Sequence, residues 1–147
     1  MQKCTLALGC FWKPEENFKN KPGIIETEVG YAGGAESNVK YEEVCKGTTG
    51  HAEVVKLTFD EKVISFKKII DLFFKMHDPT QKNMQFPDVG TQYRSEIFYE
   101  NDNQKKEAEE VLNEINKKFN GKIETKISKI SNYCKAEEYH QRYIEKN

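Results

Sequence analysis

The alternation of apolar and polar positions marks out the elements of the chain one after another. Over residues 3–8, Cys4, Leu6 and Leu8 share a face at the two-residue period of a strand. A short helix is expected to follow to about Asn20, because Pro14 is tolerated only in a first turn and Pro22-Gly23 stops it. A second strand over 24–31 puts Ile25, Thr27, Val29 and Tyr31 on one face. Residues 32–50, rich in Gly, Asn and Thr, read as a long ordered loop, a feature that is usually functional or disordered. Residues 52–59 alternate again, with Glu53, Val55, Leu57 and Phe59 together. A helix is then expected from its cap at Ser65 to His77, ended by Asp78-Pro79.

A second loop runs over 79–92 into a strand at 94–99. The next helix carries the clearest periodicity. Asn101 and Gln104 form a capping box at its start, Ala108, Val111, Leu112, Ile115 and Phe119 its apolar stripe, and Gly121 its end. A strand near 123–130 and a short helix from about Ala136 complete the count. The first six elements read strand, helix, strand, strand, helix, strand, which is the split βαβ or ferredoxin-like order. The expected fold is an α+β sandwich with a βαββαβ core, two crossover helices on one sheet face, and an extra C-terminal strand and helix. Fold by itself leaves function open.

Composition narrows the classes. The 147 residues fit one catalytic-sized domain spanning the whole chain, and the charged fraction of 32% is that of a soluble globular protein. Net charge is −1 and Arg94 and Arg142 are the sole arginines, so no basic field points to nucleic acid or an anionic membrane. No apolar run approaches the roughly 20 residues of a membrane span, and the N-terminus carries no signal-peptide run. A cytoplasmic monomer is the expectation. Cys4, Cys10, Cys45 and Cys134 are too scattered for a disulfide scaffold and form no CxxC zinc pair. The default for each is a buried, inert thiol.

Four places nevertheless carry chemistry. Cys10, in Gly9-Cys10-Phe11-Trp12, sits where a strand turns into a helix, and helix N–H groups there can lower a thiol pKa to roughly 3.5–7.5. Phe11 and Trp12 suit either ordinary core anchors or an apolar cup for a ligand methyl group. Glu53 shares the face of Val55, Leu57 and Phe59; burial would raise its pKa into the range of a general acid, unless parity slips by one and it is solvated. Tyr31 and Tyr93, where strands meet polar loops, could donate to a partly charged oxygen or serve structure alone. His51 and His140 could hydrogen-bond such a site from behind, and His77 fits a helix C-terminus through the helix dipole.

Taken together, Gly9-Cys10-Phe11-Trp12, Gly30-Tyr31-Ala32-Gly33-Gly34, Gly50-His51-Ala52-Glu53-Val54-Val55, Gly90-Thr91-Gln92-Tyr93-Arg94-Ser95 and Ala136-Glu137-Glu138-Tyr139-His140-Gln141 resemble, in order, the motifs of A-type peptide methionine sulfoxide reductases. The resemblance covers nearly the whole chain, from about Leu8 to Tyr143. It implies that Cys10 is the nucleophile, that Tyr31, Tyr93 and Glu53 bind the sulfoxide oxygen, that Asp88 orients the substrate, and that Phe11 and Trp12 take its methyl group. It implies reduction of the S epimer, free or within proteins, through a sulfenic acid on Cys10. Thioredoxin, glutaredoxin or glutathione would be the reductant, and no metal or organic cofactor is implied. Many relatives carry resolving cysteines in a glycine-rich tail beyond Tyr-His-Gln, whereas this sequence ends at Asn147. Cys134 is the expected substitute; Cys45 lies in a loop that could approach, but a cysteine at that place is common in the family without a resolving role, and Cys4 is expected to be inert. The segment Asn83-Met84-Gln85-Phe86-Pro87 ahead of Asp88 is more apolar than the family pattern. Two other classes compete: a cysteine peroxidase, and a non-catalytic ferredoxin-like binding module.

Overall fold

The computed structural model describes residues 1–147. In chain order the elements are β1 (Gln2–Leu8), α1 (Trp12–Lys19), β2 (Ile24–Ala32), α2 (Tyr41–Cys45), β3 (Ala52–Phe59), α3 (Phe66–Met76), β4 (Met84–Gln85), β5 (Asp88–Val89), β6 (Ser95–Tyr99), α4 (Asp102–Lys118), β7 (Lys126–Lys129), β8 (Cys134–Lys135) and α5 (Tyr143–Lys146), with 3-10 turns at Thr91–Tyr93 and Glu138–His140. The main sheet has the order β7-β6-β1-β3-β2-β8, and its middle four strands are antiparallel neighbours, as the ferredoxin-like core requires. β7 joins one edge parallel to β6, and β8 joins the other antiparallel to β2. β4 and β5 form a separate small hairpin. No helix is long and apolar enough to cross a membrane.

The two sheet faces are packed differently. Cys4, Leu6, Leu8, Val29, Tyr31, Val55, Leu57, Phe59 and Ile97 meet the helices, including Phe18 of α1, Phe73 of α3 and Ala108 and Val111 of α4. On the other face Ala7, Ala32, Ala52, Val54 and Phe98 are covered by Ile130 and Tyr133 of the segment between β7 and β8. Two-residue parity therefore places Glu53 on the helix side, 1% exposed. The slipped-parity alternative is excluded. In β2 the expected parity does fail near its start: a bulge between Ile24 and Glu26 buries Ile24 and turns Ile25 out to 58% exposure.

Local signals hold with small shifts. Ser65 caps α3 by accepting the Lys68 N–H at 3.1 Å. Asn101 accepts the Gln104 N–H at 2.9 Å, but the reciprocal bond from the Gln104 side chain goes to the N–H of Glu100 rather than to the cap itself. The C-terminal segment is less regular than expected. The strand shortens to Lys126–Lys129, and the terminal helix begins only at Tyr143. The chain between them spends its side chains on contacts to β2 and α1. His77 also departs from the helix-dipole expectation. Burial depresses its pKa to about 4, and the neutral ring bonds Phe73 O and Ser95 Oγ, each at 2.7 Å.

Candidate active site

Three segments converge at the end of the sheet where β1 gives way to α1. Gly9, at φ +96°, makes the turn, and a Cβ there would meet the Gln85 side chain at 3.0 Å. Glycine thus lets the β4–β5 hairpin, with Asp88, close over Cys10. The backbone N–H of Trp12, at the start of α1, acts to lower the Cys10 thiol pKa. That donor does not dominate. Burial pushes the thiol up to about 12, with the Glu53 and Asp88 carboxylates adding to the rise. The lowered pKa expected from the helix N-terminus is overturned, because loss of water outweighs one N–H.

Glu53 lies opposite Tyr31 on the neighbouring strand. Its Oε1 accepts the N–H of Phe11 at 3.2 Å, while its Oε2 is buried without a partner. Burial raises its pKa to about 8, so the carboxyl is mostly protonated at neutral pH. Asp88 adds to that rise from the hairpin.

The two tyrosines expected at the sulfoxide oxygen divide. Tyr93 lies in the neighbourhood of Glu53, Cys45, Asp88 and Cys10. The Tyr31 hydroxyl, by contrast, is donated to Glu137 Oε1 at 2.8 Å, and its ring is fully buried against Phe11, with centroids 5.7 Å apart. A proton held by Glu137 argues against direct donation to a substrate oxygen. Tyr41, which sequence reasoning passes over, instead lies near Glu53, Tyr93 and the Cys45 thiol. Burial pushes the Tyr41 and Tyr93 hydroxyls well above their usual range, so both remain donors. The available signal is Glu43, whose carboxylate reaches back to the Lys40 N–H at 3.0 Å and starts the short helix that carries Tyr41.

The segment after β8 locks these parts together. Glu137 also accepts the Tyr41 N–H at 3.0 Å, so one carboxylate ties β2 to α2. Gln141 pairs with both the N–H and the C=O of Val29, at 2.9 Å each, and stands in for a further strand residue. His140 accepts the Trp12 indole N–H at 3.0 Å. Phe11 is buried, whereas Trp12 is half-buried. All four cysteines are free. Cys4 is fully buried with its thiol pKa pushed far up, as an inert thiol should be. Cys45 lies in the neighbourhood of Cys10, while the Cys134 thiol lies 3.5 Å from Val39 O and 3.9 Å from Asn38 Oδ1.

The family model for peptide methionine sulfoxide reductase matches residues 2–147. The chain belongs to the peptide methionine sulfoxide reductase family. A Pelagibacter ubique peptide methionine sulfoxide reductase MsrA is 58% identical over 146 residues, covering 99% of each chain. Reduced Mxr1 of Saccharomyces cerevisiae superposes with TM-score 0.96 at 43% identity, over 99% of this chain and 85% of that one. A structure of Mxr1 in complex with Trx2 matches with TM-score 0.69 at 30% identity, over 97% and 84%. Membership makes the protein an oxidoreductase and displaces the peroxidase and binding-module readings. The α+β fold expected from the hydrophobic pattern is that of these reductases.

Proposed function

We propose that the protein reduces methionine S-sulfoxide, free or in proteins, by attack of Cys10 on the sulfoxide sulfur. The observation that carries this reading is the unpartnered oxygen of Glu53, a buried carboxyl set among Cys10, Tyr93 and Tyr41. A sulfoxide oxygen is an acceptor, and it is a poor leaving group until protonated.

The Glu53 carboxylate lies close enough to Cys10 to add to the rise of the thiol pKa. With Glu53 near 8 and Cys10 near 12, the pair holds a single proton between those values. In that state Glu53 takes the thiol proton, the thiolate attacks sulfur, and Glu53 returns the proton to the oxygen. The attack forms a bond between the two sulfurs; as that bond and the substrate's S–O bond break, the protonated oxygen passes to Cys10, and the substrate sulfur gains two electrons and leaves as methionine. Cys10 loses two electrons and becomes a sulfenic acid, which carries the oxygen and the original thiol proton. Charge grows on the oxygen in the transition state, so Tyr41 and Tyr93 as preformed donors assist the chemistry more than binding. Asp88 orients the substrate, Trp12 and Phe11 enclose its methyl group, and Tyr31 acts indirectly by anchoring Glu137.

Cys10 returns to a thiol through a second thiol. The nearness of Cys45 to Cys10 favours it over Cys134, whose thiol contacts Val39 and Asn38. We take a thioredoxin as the final reductant, in keeping with the Trx2 complex of the yeast relative; glutaredoxin or glutathione could serve in its place. Four free thiols suit a reducing cytoplasm.

The test is a single turnover with the S epimer and no added reductant. Wild type should release about one methionine per protein and Cys10→Ser none, the stoichiometry of a covalent nucleophile. Methionine from the Cys10→Ser protein would reject the reading. Peptide mapping then distinguishes a Cys10–Cys45 disulfide from a Cys10–Cys134 one.

A further inference from the structure

The β4–β5 hairpin carries an apolar tip turned to solvent. Phe86 is 76% exposed, more than any other large hydrophobic side chain of the protein, and Val89 is 67% exposed. Pro87 between them is exposed as well. The remaining exposed hydrophobics, Met1, Ile25, Val63, Tyr139 and Ile144, are scattered along the chain. A single exposed apolar side chain is ordinary, but three within four positions beside a reactive site point to a ligand.

The tip is braced. Gln81 Oε1 accepts the Phe86 N–H at 2.7 Å. The Gln85 amide spans Asp78, accepting its N–H at 3.1 Å and donating to its C=O. Asn83 O accepts the Gly90 N–H at 3.0 Å. Gln85 and Asp88 pair across the hairpin, and the Gln85 side chain packs against Gly9, the residue before Cys10. Asp88 lies close enough to raise the pKa of both Cys10 and Glu53. Phe86 thus stands one residue from the turn that carries the nucleophile and two from Asp88. An apolar side chain held in place binds at less entropic cost than a mobile one.

A methionine sulfoxide inside a protein brings its chain neighbours with it. An extended chain advances about 3.3 Å per residue, so side chains within about three positions of a sulfoxide on Cys10 pass over this hairpin. We propose that Phe86, with Val89, is a specificity-determining residue, forming a subsite for an apolar side chain one to three positions from the sulfoxide in an extended polypeptide. The proposal rests on the reading of the site as a sulfoxide reductase and adds to it a preference for sulfoxides in apolar stretches of protein. A reductant protein is the other candidate for an exposed apolar tip. Its target is Cys45 of α2, and the exposed Tyr139 lies near that thiol, whereas Phe86 is braced beside Gly9 and Asp88.

The test uses two synthetic peptides, each with one methionine S-sulfoxide, flanked by leucines in one and by serines in the other, with dithiothreitol as reductant. Wild type should show a kcat/KM about tenfold higher for the leucine peptide. Phe86→Ser should bring that ratio close to one, and Phe86→Leu should keep most of it. The ratio is internal to each protein, so any loss of folded material cancels. Equal use of the two peptides by a wild type that reduces free methionine S-sulfoxide overturns the proposal alone. So does a Phe86→Ser protein with the wild-type ratio. A KM for thioredoxin raised about tenfold in Phe86→Ser, with the peptide ratio untouched, overturns it too and gives the tip to the reductant. A wild type that reduces neither peptide nor the free sulfoxide overturns the sulfoxide reading and the proposal with it.

Discussion

Two buried glutamates, one under α1 and one at the end of β3, show how the same side chain serves structure in one place and chemistry in another. Glu15 is 1% exposed, and both of its oxygens are used: Oε2 accepts the Thr27 hydroxyl and Oε1 the Arg142 N–H, each at 2.7 Å. It welds α1 to β2 and to the C-terminal segment. Glu53 is equally buried but receives one backbone N–H and leaves Oε2 open. The difference is a single donor, and burial keeps a proton on Glu53 at neutral pH. A fold optimised for stability alone would have supplied that donor.

Substituting the two residues should separate their roles most sharply. Glu53→Gln keeps the shape but cannot carry the proton, so kcat should fall about 10²–10⁴-fold. Stability should move the other way. The folded value near 8 lies above the 4.5 of an exposed carboxyl. The unfolded chain then releases the proton first, and stability falls as pH rises from 4.5 to 8, by on the order of 4 kcal/mol. Denaturant melts of Glu53→Gln should lack that slope and be the more stable at pH 8. A Glu53→Gln protein that is both active and pH-sensitive would erase the distinction.

Glu15→Ala should do the reverse. It orphans a buried hydroxyl and a part-buried N–H and should cost about 2–4 kcal/mol, read as a lower urea midpoint. The fraction that remains folded should retain kcat within a few-fold. The tyrosines carry the contrast to a smaller scale. Tyr41→Phe should lower kcat about 10–100-fold by removing a donor to the reacting oxygen, whereas Tyr31→Phe should lower it by less than about tenfold. The reverse ranking, measured under saturating sulfoxide, would return Tyr31 to the oxygen.

Glu15 and Glu53 are unequally visible in the sequence. Glu53 stands in a clean two-residue alternation with Val55, Leu57 and Phe59, and that pattern alone implies its burial. Glu15 lies on an eight-residue helix, and its partners Thr27 and Arg142 are 12 and 127 positions away. The same limit explains the tyrosines. Periodicity puts Tyr31 on the correct strand face, but the direction of its hydroxyl is set by Glu137, 106 residues on. Tyr41 is silent because α2 has only five residues, too few for a helical period. The Cys10 pKa escapes for a related reason. A helix N-terminus is legible in sequence, while the degree to which the β4–β5 hairpin and Glu53 exclude water is not. The core order of strands and helices is legible because each long element carries its own period. The edge strands β7 and β8, shorter and half-exposed, do not.

The central claim is that Cys10 and Glu53 share one proton in the reactive state. The most direct measurement is kcat/KM for S-epimer methionine sulfoxide as a function of pH, since that constant reports the free enzyme. With Glu53 at about 8 and Cys10 at about 12, kcat/KM should climb about tenfold per pH unit below 8 and level off above it. A kcat/KM that is flat below pH 8 and falls above it would mean that the doubly protonated pair reacts, and would contradict the shared-proton account.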